Sequence, residues 1–268
     1  MRFPQWISTK RFLHGYALSV DLGISGRNAL VAASSAGLGY ATAVALAQAG
    51  CTTVISGRNE TRLQQASENI PGSIPIVSDV SDAEGANLLI TQAEEALGSG
   101  IDILVTNAGG PPPGTFASTG VTAYMSALEL NLMSVIAMCK ATVPGMQERR
   151  WGRVLAITSI SVRQPIPNIM LSNTARAGAT GFLKTLALEV ATDGVTVNSI
   201  QPGFHATDRV KSIYGETDLD ELAKSVPAGK IGKAEDFGQI AAFLCSEQAG
   251  YITGAAIPVA GGTYKGLQ

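Results

Sequence analysis

The stretch SISVRQPIPNIMLSNTARAG, residues 159–178, offers four hydroxyls and two guanidiniums, yet no Asp, Glu, His, Cys, Tyr or Lys. Chemistry built on it must work by hydrogen-bond donation and fixed positive charge. A serine hydroxyl such as that of Ser159 or Ser172 cannot ionise usefully without an adjacent base. Arg176 keeps its proton at any working pH. Arg163 and Gln164, in the same loop, can polarise a carbonyl, because preorganised donors stabilise developing charge without giving up a proton. The group that titrates closest to neutrality is His205, whose role is open between proton donor and plain loop residue. Tyr124, Tyr214 and Tyr251 are further phenols, with packing or subunit contact as the alternative for each.

A second cluster carries no reactive group. AASSAGLG, residues 32–39, has small side chains at a turn that leads into a helix. Backbone N–H groups at a helix N-terminus aim at an anion, and a pyrophosphate reaches them only where side chains leave room. Ala33, Ser34, Ser35, Gly37, Leu38 and Gly39 are therefore expected to border a dinucleotide phosphate site; a tight turn without ligand is the alternative. About twenty residues on, NAD-binding folds place a carboxylate on the ribose 2′-hydroxyl. Here the sequence reads SGRN, with Gly57 followed by Arg58. A guanidinium suits a 2′-phosphate, so NADP(H) is expected and NAD(H) is less favoured. The alternative is a solvated Arg58 with Glu60 on the ribose.

These clusters lie in a chain that alternates β-rich runs (28–34, 52–57, 73–78, 101–109, 152–159, 194–203, 255–262) with helical ones (38–50, 59–70, 81–97, 121–148, 172–191, 234–247). The helix at 81–97 opens on Ser81, with Glu84 three residues later. Alternation without hairpin signals means parallel strands joined by right-handed crossovers. The expected architecture is a doubly wound parallel α/β sheet, Rossmann-like, forming a single domain over 20–268. Residues 1–19 carry Arg2, Lys10, Arg11 and His14 and no acid. They read as a loose basic tail, with a mitochondrial presequence as the alternative.

Composition excludes several classes. A net charge of −2 argues against nucleic-acid binding, and no apolar run approaches the length of a membrane span. Cys51, Cys139 and Cys245 lie far apart, and with His14 and His205 the only histidines no metal site is expected. We expect a reduced, cytoplasmic protein.

In order and spacing these motifs resemble the short-chain dehydrogenase/reductase family, of the 3-oxoacyl-acyl-carrier-protein reductase type, over essentially all of residues 20–268. The glycine loop resembles the family's T-G-x-x-x-G-x-G, with Ala32 and Ala33 in place of its first two members. SDV (78–80) matches the turn where Asp79 and Val80 contact adenine. TNAGG (106–110) matches N-N-A-G, which implies that Asn107, Ala108 and Gly109 border the nicotinamide ribose. Asn131 matches the asparagine that holds a water in the proton relay. QPGFHAT (201–207) matches P-G-x-x-x-T, implying that Thr207 holds the carboxamide and that Pro202 and Gly203 border the cofactor. The family's catalytic core is Ser, then Tyr thirteen residues later, then Lys four further on. Ser159 fits, but the next two positions hold Ser172 and Arg176. The resemblance thus implies a retained cofactor frame without the usual acid, since a phenol starts near pKa ~10 and can be lowered toward working pH, whereas a serine hydroxyl cannot. Arg176 keeps the charge and can still bind ribose hydroxyls.

The expected function is NADP(H)-dependent oxidation or reduction of a carbonyl/alcohol pair with a non-standard proton donor. A non-redox enzyme (isomerase, dehydratase or cyclase) or a catalytically silent binding subunit on the same fold are the alternatives. GPPPGTF (110–116) and QPIP (164–167) stiffen the pocket lips, and 208–229 caps the substrate in the resembling family. An apolar small-molecule substrate is expected. The resemblance also implies a homotetramer or homodimer, paired through helices at about 121–148 and 172–191.

Overall fold

The computed structural model describes residues 20–214 and 219–267, with backbone alone for 212–214; the expected basic tail at 1–19 lies outside the described residues. Seven strands form one sheet: β1 (Asn28–Val31), β2 (Thr52–Gly57), β3 (Ile74–Val77), β4 (Ile103–Thr106), β5 (Gly152–Ile157), β6 (Val195–Pro202) and β7 (Ala256–Val259). Every pairing is parallel, and the order is β3-β2-β1-β4-β5-β6-β7. The strands β1, β4 and β5 read as continuous apolar runs because both faces of the sheet are covered. This is the doubly wound, Rossmann-like single domain that the alternation implied.

The covering helices are α1 (Gly37–Gln48), α2 (Glu60–Glu68), α3 (Ala83–Leu97), α4 (Val121–Leu128), α5 (Ser134–Glu148), α6 (Met170–Val190), α7 (Asp208–Tyr214), α8 (Leu219–Ser225) and α9 (Ala234–Leu244). On one face, Leu89 and Ile90 of α3, Met138 and Met146 of α5, and Leu183 of α6 form a core with Leu30 and Val154. On the other, Leu46 of α1, Leu63 of α2 and Phe237 of α9 close over Val31, Ile55 and Val105.

Where the strands end matters most for function. The apolar runs at 28–34, 101–109 and 152–159 leave the sheet early, at Val31, Thr106 and Ile157. Their remaining residues turn out as loops at the C-terminal edge. Strand order reverses between β1 and β4, the switch point at which such sheets open a crevice for ligands. Helix α6 starts two residues before the expected boundary, at Met170, which puts Ser172 and Arg176 one turn apart on one helix face. The cap of α3 is Asp82, not Ser81: its carboxylate accepts from Gly85 N at 2.8 Å. The Ser81 N–H donates to Asp79 Oδ1 at 3.0 Å, which holds the preceding turn and delays the helix by one residue.

One helix departs from the expectation that no apolar run nears membrane length. Helices α4 and α5 are continuous through a π-helical turn at Glu129–Met133. The resulting Val121–Glu148 helix of 28 residues is long and apolar enough to span a bilayer by length and composition. Its inner side contributes Val135, Met138, Cys139, Val143 and Met146 to the core, while only 28% of its most apolar stretch is buried. The segment 208–229 forms α7 and α8, apart from residues 215–218, which lie outside the described part of the chain.

Candidate active site

A cleft of about 880 Å³ runs along the C-terminal edge of the sheet, within the ~300–1,000 Å³ of typical small-molecule sites. It has two ends of different construction. The first is built from the loop after β1. Ser34 is fully buried and does not face the cleft; its Oγ donates to Val31 O at 2.7 Å and accepts from Ser56 N at 3.1 Å. Ser34 therefore pins the loop to β2 instead of meeting a ligand through its side chain. Ala33 takes a left-handed backbone, φ 47°, which costs a non-glycine residue about 1 kcal/mol. Its carbonyl accepts from Asn107 Nδ2 at 3.0 Å, and its N–H donates to Ser56 Oγ at 3.1 Å.

Helix α1 begins with no side-chain cap and no acid in its first turn. The backbone N–H groups there are thus left to the cleft, which Ser35, Gly37, Leu38 and Gly39 line. Space is the second requirement. A Cβ on Gly39 would lie 2.7 Å from Asn107 Nδ2 and 2.8 Å from Ala33 O. A side chain at Gly39 would thus push α1 off the loop after β1, whereas a Cβ at Gly37 would meet only Thr207 Cγ2 at 3.7 Å. Uncapped helix donors above a side-chain-free floor are what a pyrophosphate requires.

Further along, Arg58, Asp79, Val80, Ala108 and Gly109 line the same cleft. Arg58 Nη1 is 3.9 Å from Asp79 Oδ2, an exposed pair that contributes little to stability. A Cβ on Gly57 would lie 2.9 Å from Ser35 Oγ, so Ser35 occupies the space in front of the position where an NAD-type carboxylate would stand. Arg62 also lines this end. Sequence reasoning passed over it because it reads as a solvated helix residue; its location one turn into α2, after the Asn59 cap, is the signal that would have found it.

The reacting end is made of side chains. Ser159 caps a short 3-10 turn (Ile160–Val162), its Oγ accepting from Ser161 N at 3.0 Å. Ser172 Oγ accepts from Arg176 Nε at 3.2 Å. Arg176 Nη1 donates to Ile157 O at 3.1 Å and Thr158 O at 3.5 Å, so the guanidinium sutures α6 to the end of β5. Burial, and then the charge of Arg209, push Arg176 down to about 10; it stays protonated at neutral pH. Asn131, in the π turn, is buried beneath the cleft. Its Nδ2 donates to Gly109 O at 3.0 Å, and its Oδ1 has no protein partner among the described residues. Thr207 Oγ1 accepts from Val210 N at 3.4 Å and so caps α7, while Pro202 and Gly203 line the cleft at the end of β6.

The remaining sequence candidates have different surroundings. His205 is 4% exposed and its ring stands edge-on to Phe237 at 5.1 Å. Burial lowers its pKa, against a backbone contact from Nδ1 to Gly203 O at 3.3 Å. The imidazole lines the cleft beside Gly203 and Thr207 and braces a loop joined to Gly232 by bonds through Phe204 and Ala206, with burial favouring its neutral form. Gln164 holds the C-terminal segment, donating to Thr263 O at 3.3 Å and accepting from Lys265 N at 3.0 Å. Arg163 lines a separate shallow groove beside β7. Tyr251 is fully exposed, and it and Tyr124 lie outside the cleft lining. The side chain of Tyr214 lies outside the described residues. The two stiff lips, by contrast, meet: Gly114 N donates to Asn168 O at 2.7 Å, and Gly114 bridges to Ile169.

A parallel seven-stranded sheet with its crevice at the β1–β4 switch point defines a Rossmann-like α/β protein. A family model described as "Enoyl-(Acyl carrier protein) reductase" matches residues 32–264. Among curated proteins, the 3-oxoacyl-(acyl-carrier-protein) reductase of Haemophilus influenzae is 35% identical over 242 residues, covering 90% of this chain and 99% of its own. The human dehydrogenase/reductase SDR family member 4 is 34% identical over 246 residues, covering 90% and 88%. Among solved structures, L-sorbose reductase from Gluconobacter frateurii complexed with NADPH and L-sorbose superposes with a TM-score of 0.87 at 31% identity, covering 92% of this chain and 100% of that one. The chain belongs to the short-chain dehydrogenase/reductase family of oxidoreductases.

Proposed function

We propose that the protein is an NADP(H)-dependent oxidoreductase that interconverts a carbonyl and an alcohol without a phenolic acid. The observation that carries this reading is the pairing of Ser172 Oγ with Arg176 Nε at 3.2 Å, on the wall of a cleft whose other end is shaped for phosphates. NADP(H), when bound, supplies or accepts the hydride. The donors at Gly37–Gly39 grip the pyrophosphate, Arg58 and Arg62 with Ser35 receive the 2′-phosphate, and Asp79 and Val80 border the adenine. Asn107, Ala108 and Gly109 flank the nicotinamide ribose, with Arg176 donating to its hydroxyls. L-sorbose reductase, named as an NADPH complex, is a structural neighbour that supports the phosphorylated cofactor.

The serines act as hydrogen-bond donors. Ser172 Oγ accepts from a guanidinium and Ser159 Oγ accepts from a backbone N–H, so each has its own hydrogen to offer a substrate oxygen. Two such donors stabilise charge developing on that oxygen, an effect worth roughly 3 kcal/mol per donor in water-poor sites. No Tyr, Lys or Cys lines the cleft among the described residues. His205 is the one imidazole on the cleft wall among those residues, and burial favours its neutral form; the proton that completes the alcohol comes from a water that Asn131 positions beneath the pair. Leu130, Ile157 and Ile169 receive an apolar substrate body.

All three cysteines are free and buried, and burial pushes each up to about 12; this suits a reducing, cytoplasmic setting. Val121, Met125 and Leu188 are exposed on α4 and α6, and we assign that face to a homodimer or homotetramer. The test of function is to mix the protein with NADPH and a broad aldehyde and ketone panel. Loss of the reduced-nicotinamide absorbance is the expected result; a flat trace across the panel, with NADPH demonstrably bound, overturns redox chemistry.

A further inference from the structure

The two proline-bearing loops are fastened to each other at the start of α6. Gly114 N donates to Asn168 O at 2.7 Å, and Gly114 O accepts from Met170 N at 3.4 Å. The second bond takes up one of the N–H groups that a helix start leaves unpaired, at a helix with no side-chain cap of its own. Asn173 adds a third tie, its Nδ2 donating to Ile166 O at 2.9 Å. Helix ends fray unless they are held. Ser172 is the third residue of α6, so it rides on the turn that these bonds hold.

The first loop is anchored at its other end too. Asn107 Nδ2 donates to Ala33 O at 3.0 Å, Asn131 Nδ2 to Gly109 O at 3.0 Å, and Arg209 Nη2 to Pro111 O at 2.8 Å. Between these anchors and Gly114 stand three prolines, of which Pro112 and Pro113 are exposed, so core packing does not account for them. Each ring fixes its own φ, and such a run advances ~3.1 Å per residue and resists bending. Past Gly114 the chain turns at once: Thr115 N donates to Ser118 Oγ at 2.9 Å, and Ser118 N donates to Thr115 Oγ1 at 3.3 Å. We propose that residues 111–114 are a spacer that fixes the separation between the nicotinamide border at 107–109 and Ser172, with Gly114 as the positioning residue that passes it to α6. The proposal rests on the carbonyl/alcohol reading and adds what holds its donor in place. Gly114 does not line the cleft; it acts through the backbone of α6. A donor displaced by ~1 Å can cost on the order of a hundredfold in rate, even while the cofactor stays bound.

The test loosens the spacer and, separately, cuts its bond. Pro112→Gly combined with Pro113→Gly frees the run at exposed positions. Gly114→Pro removes the N–H that donates to Asn168, and Gly114→Ala keeps it; both are made with Thr119→Ala, because a Cβ at 114 would lie 2.5 Å from Thr119 Oγ1. Three quantities are measured on the full-length protein: amide exchange at Leu171 and Ser172, NADPH affinity by calorimetry, and kcat and KM for the best ketone of the panel. The double-glycine variant is expected to exchange about tenfold faster at those amides and to lose about tenfold in kcat, with KM and NADPH affinity within roughly twofold. Gly114→Pro with Thr119→Ala should do the same, while Gly114→Ala with Thr119→Ala stays near the unmodified protein. Unchanged exchange in the double-glycine variant overturns the spacer. Faster exchange with unchanged kcat overturns it as well, since the start of α6 would then be loose without consequence. A matching fall in NADPH affinity also overturns it and assigns the prolines to the cofactor site. Faster exchange in both loosened variants, with no turnover by any of the proteins, supports the spacer and removes the redox reading.

Discussion

The two ends of the cleft are made of different material. At the nucleotide end the ligand-facing surface is main chain: uncapped N–H groups of α1, a floor kept open by Gly39, and a loop fastened from behind by Ser34, Ser56 and Asn107. At the reacting end it is side chain, and Arg176 is held by the very carbonyls that end β5. Main-chain donors belong to the fold and tolerate change only where a side chain intrudes. Side-chain donors can be exchanged one at a time. A protein can therefore lose a phenol and an ammonium at one end while the other keeps its shape.

The sharpest way to break that contrast is to fill the floor. Gly39→Val puts methyls against Asn107 Nδ2, Ala33 O and Ser34 Cα, whose distances from a first Cβ are already 2.7, 2.8 and 3.2 Å. NADPH affinity should fall at least about a hundredfold, ~2.7 kcal/mol, as measured by fluorescence titration. The reacting end should respond in the opposite sense to its own exchange. Ser172→Tyr combined with Arg176→Lys restores a phenol beside an ammonium and should raise reduction of neutral ketones by roughly a hundredfold. The same double change should lower stability by ~1–3 kcal/mol, because the Ile157 and Thr158 carbonyls lose their donor. No gain in rate from a folded double variant would mean that the pocket is shaped for other chemistry.

Smaller effects sharpen the comparison. Arg58→Glu sets two carboxylates side by side with Asp79 and should shift the NADPH-to-NADH affinity ratio about tenfold toward NADH. His205, lowered by burial, binds its proton in the unfolded chain before the folded one. Stability measured by urea unfolding should therefore be full above about pH 6.5 and decline as pH falls from there through the lower folded value; His205→Gln should flatten the decline. Ala33→Gly, last in size, relieves the left-handed strain at φ 47°. It should raise stability by ~1 kcal/mol, or about 2–4 °C in Tm, with cofactor affinity unchanged.

What the sequence disclosed follows the same division. The sheet, its direction and the small-residue turn into α1 were legible because they depend on local patterns: short apolar runs and small residues between a strand and a helix. The wall of the reacting end was legible only as composition. That Gln164 ties down Thr263 and Lys265, that His205 stands edge-on to Phe237, and that Arg209 crosses to Pro111 are all contacts between residues distant in the chain. No periodicity announces them. The boundary error at Ser81 is local but equally instructive, since the carboxylate two residues earlier competes for its N–H.

The π turn at Glu129–Met133 has one more implication. It inserts a single residue into an otherwise regular rod, and that insertion is what turns Asn131 inward toward Gly109. Deleting one amino acid there would rewind the rod and swing Val121–Leu128 by about 100° relative to Ser134–Glu148. The exposed Val121 and Met125 and the inward amide are thus geared together, so that a one-codon deletion would re-aim the former and pull the latter from Gly109 at the same stroke.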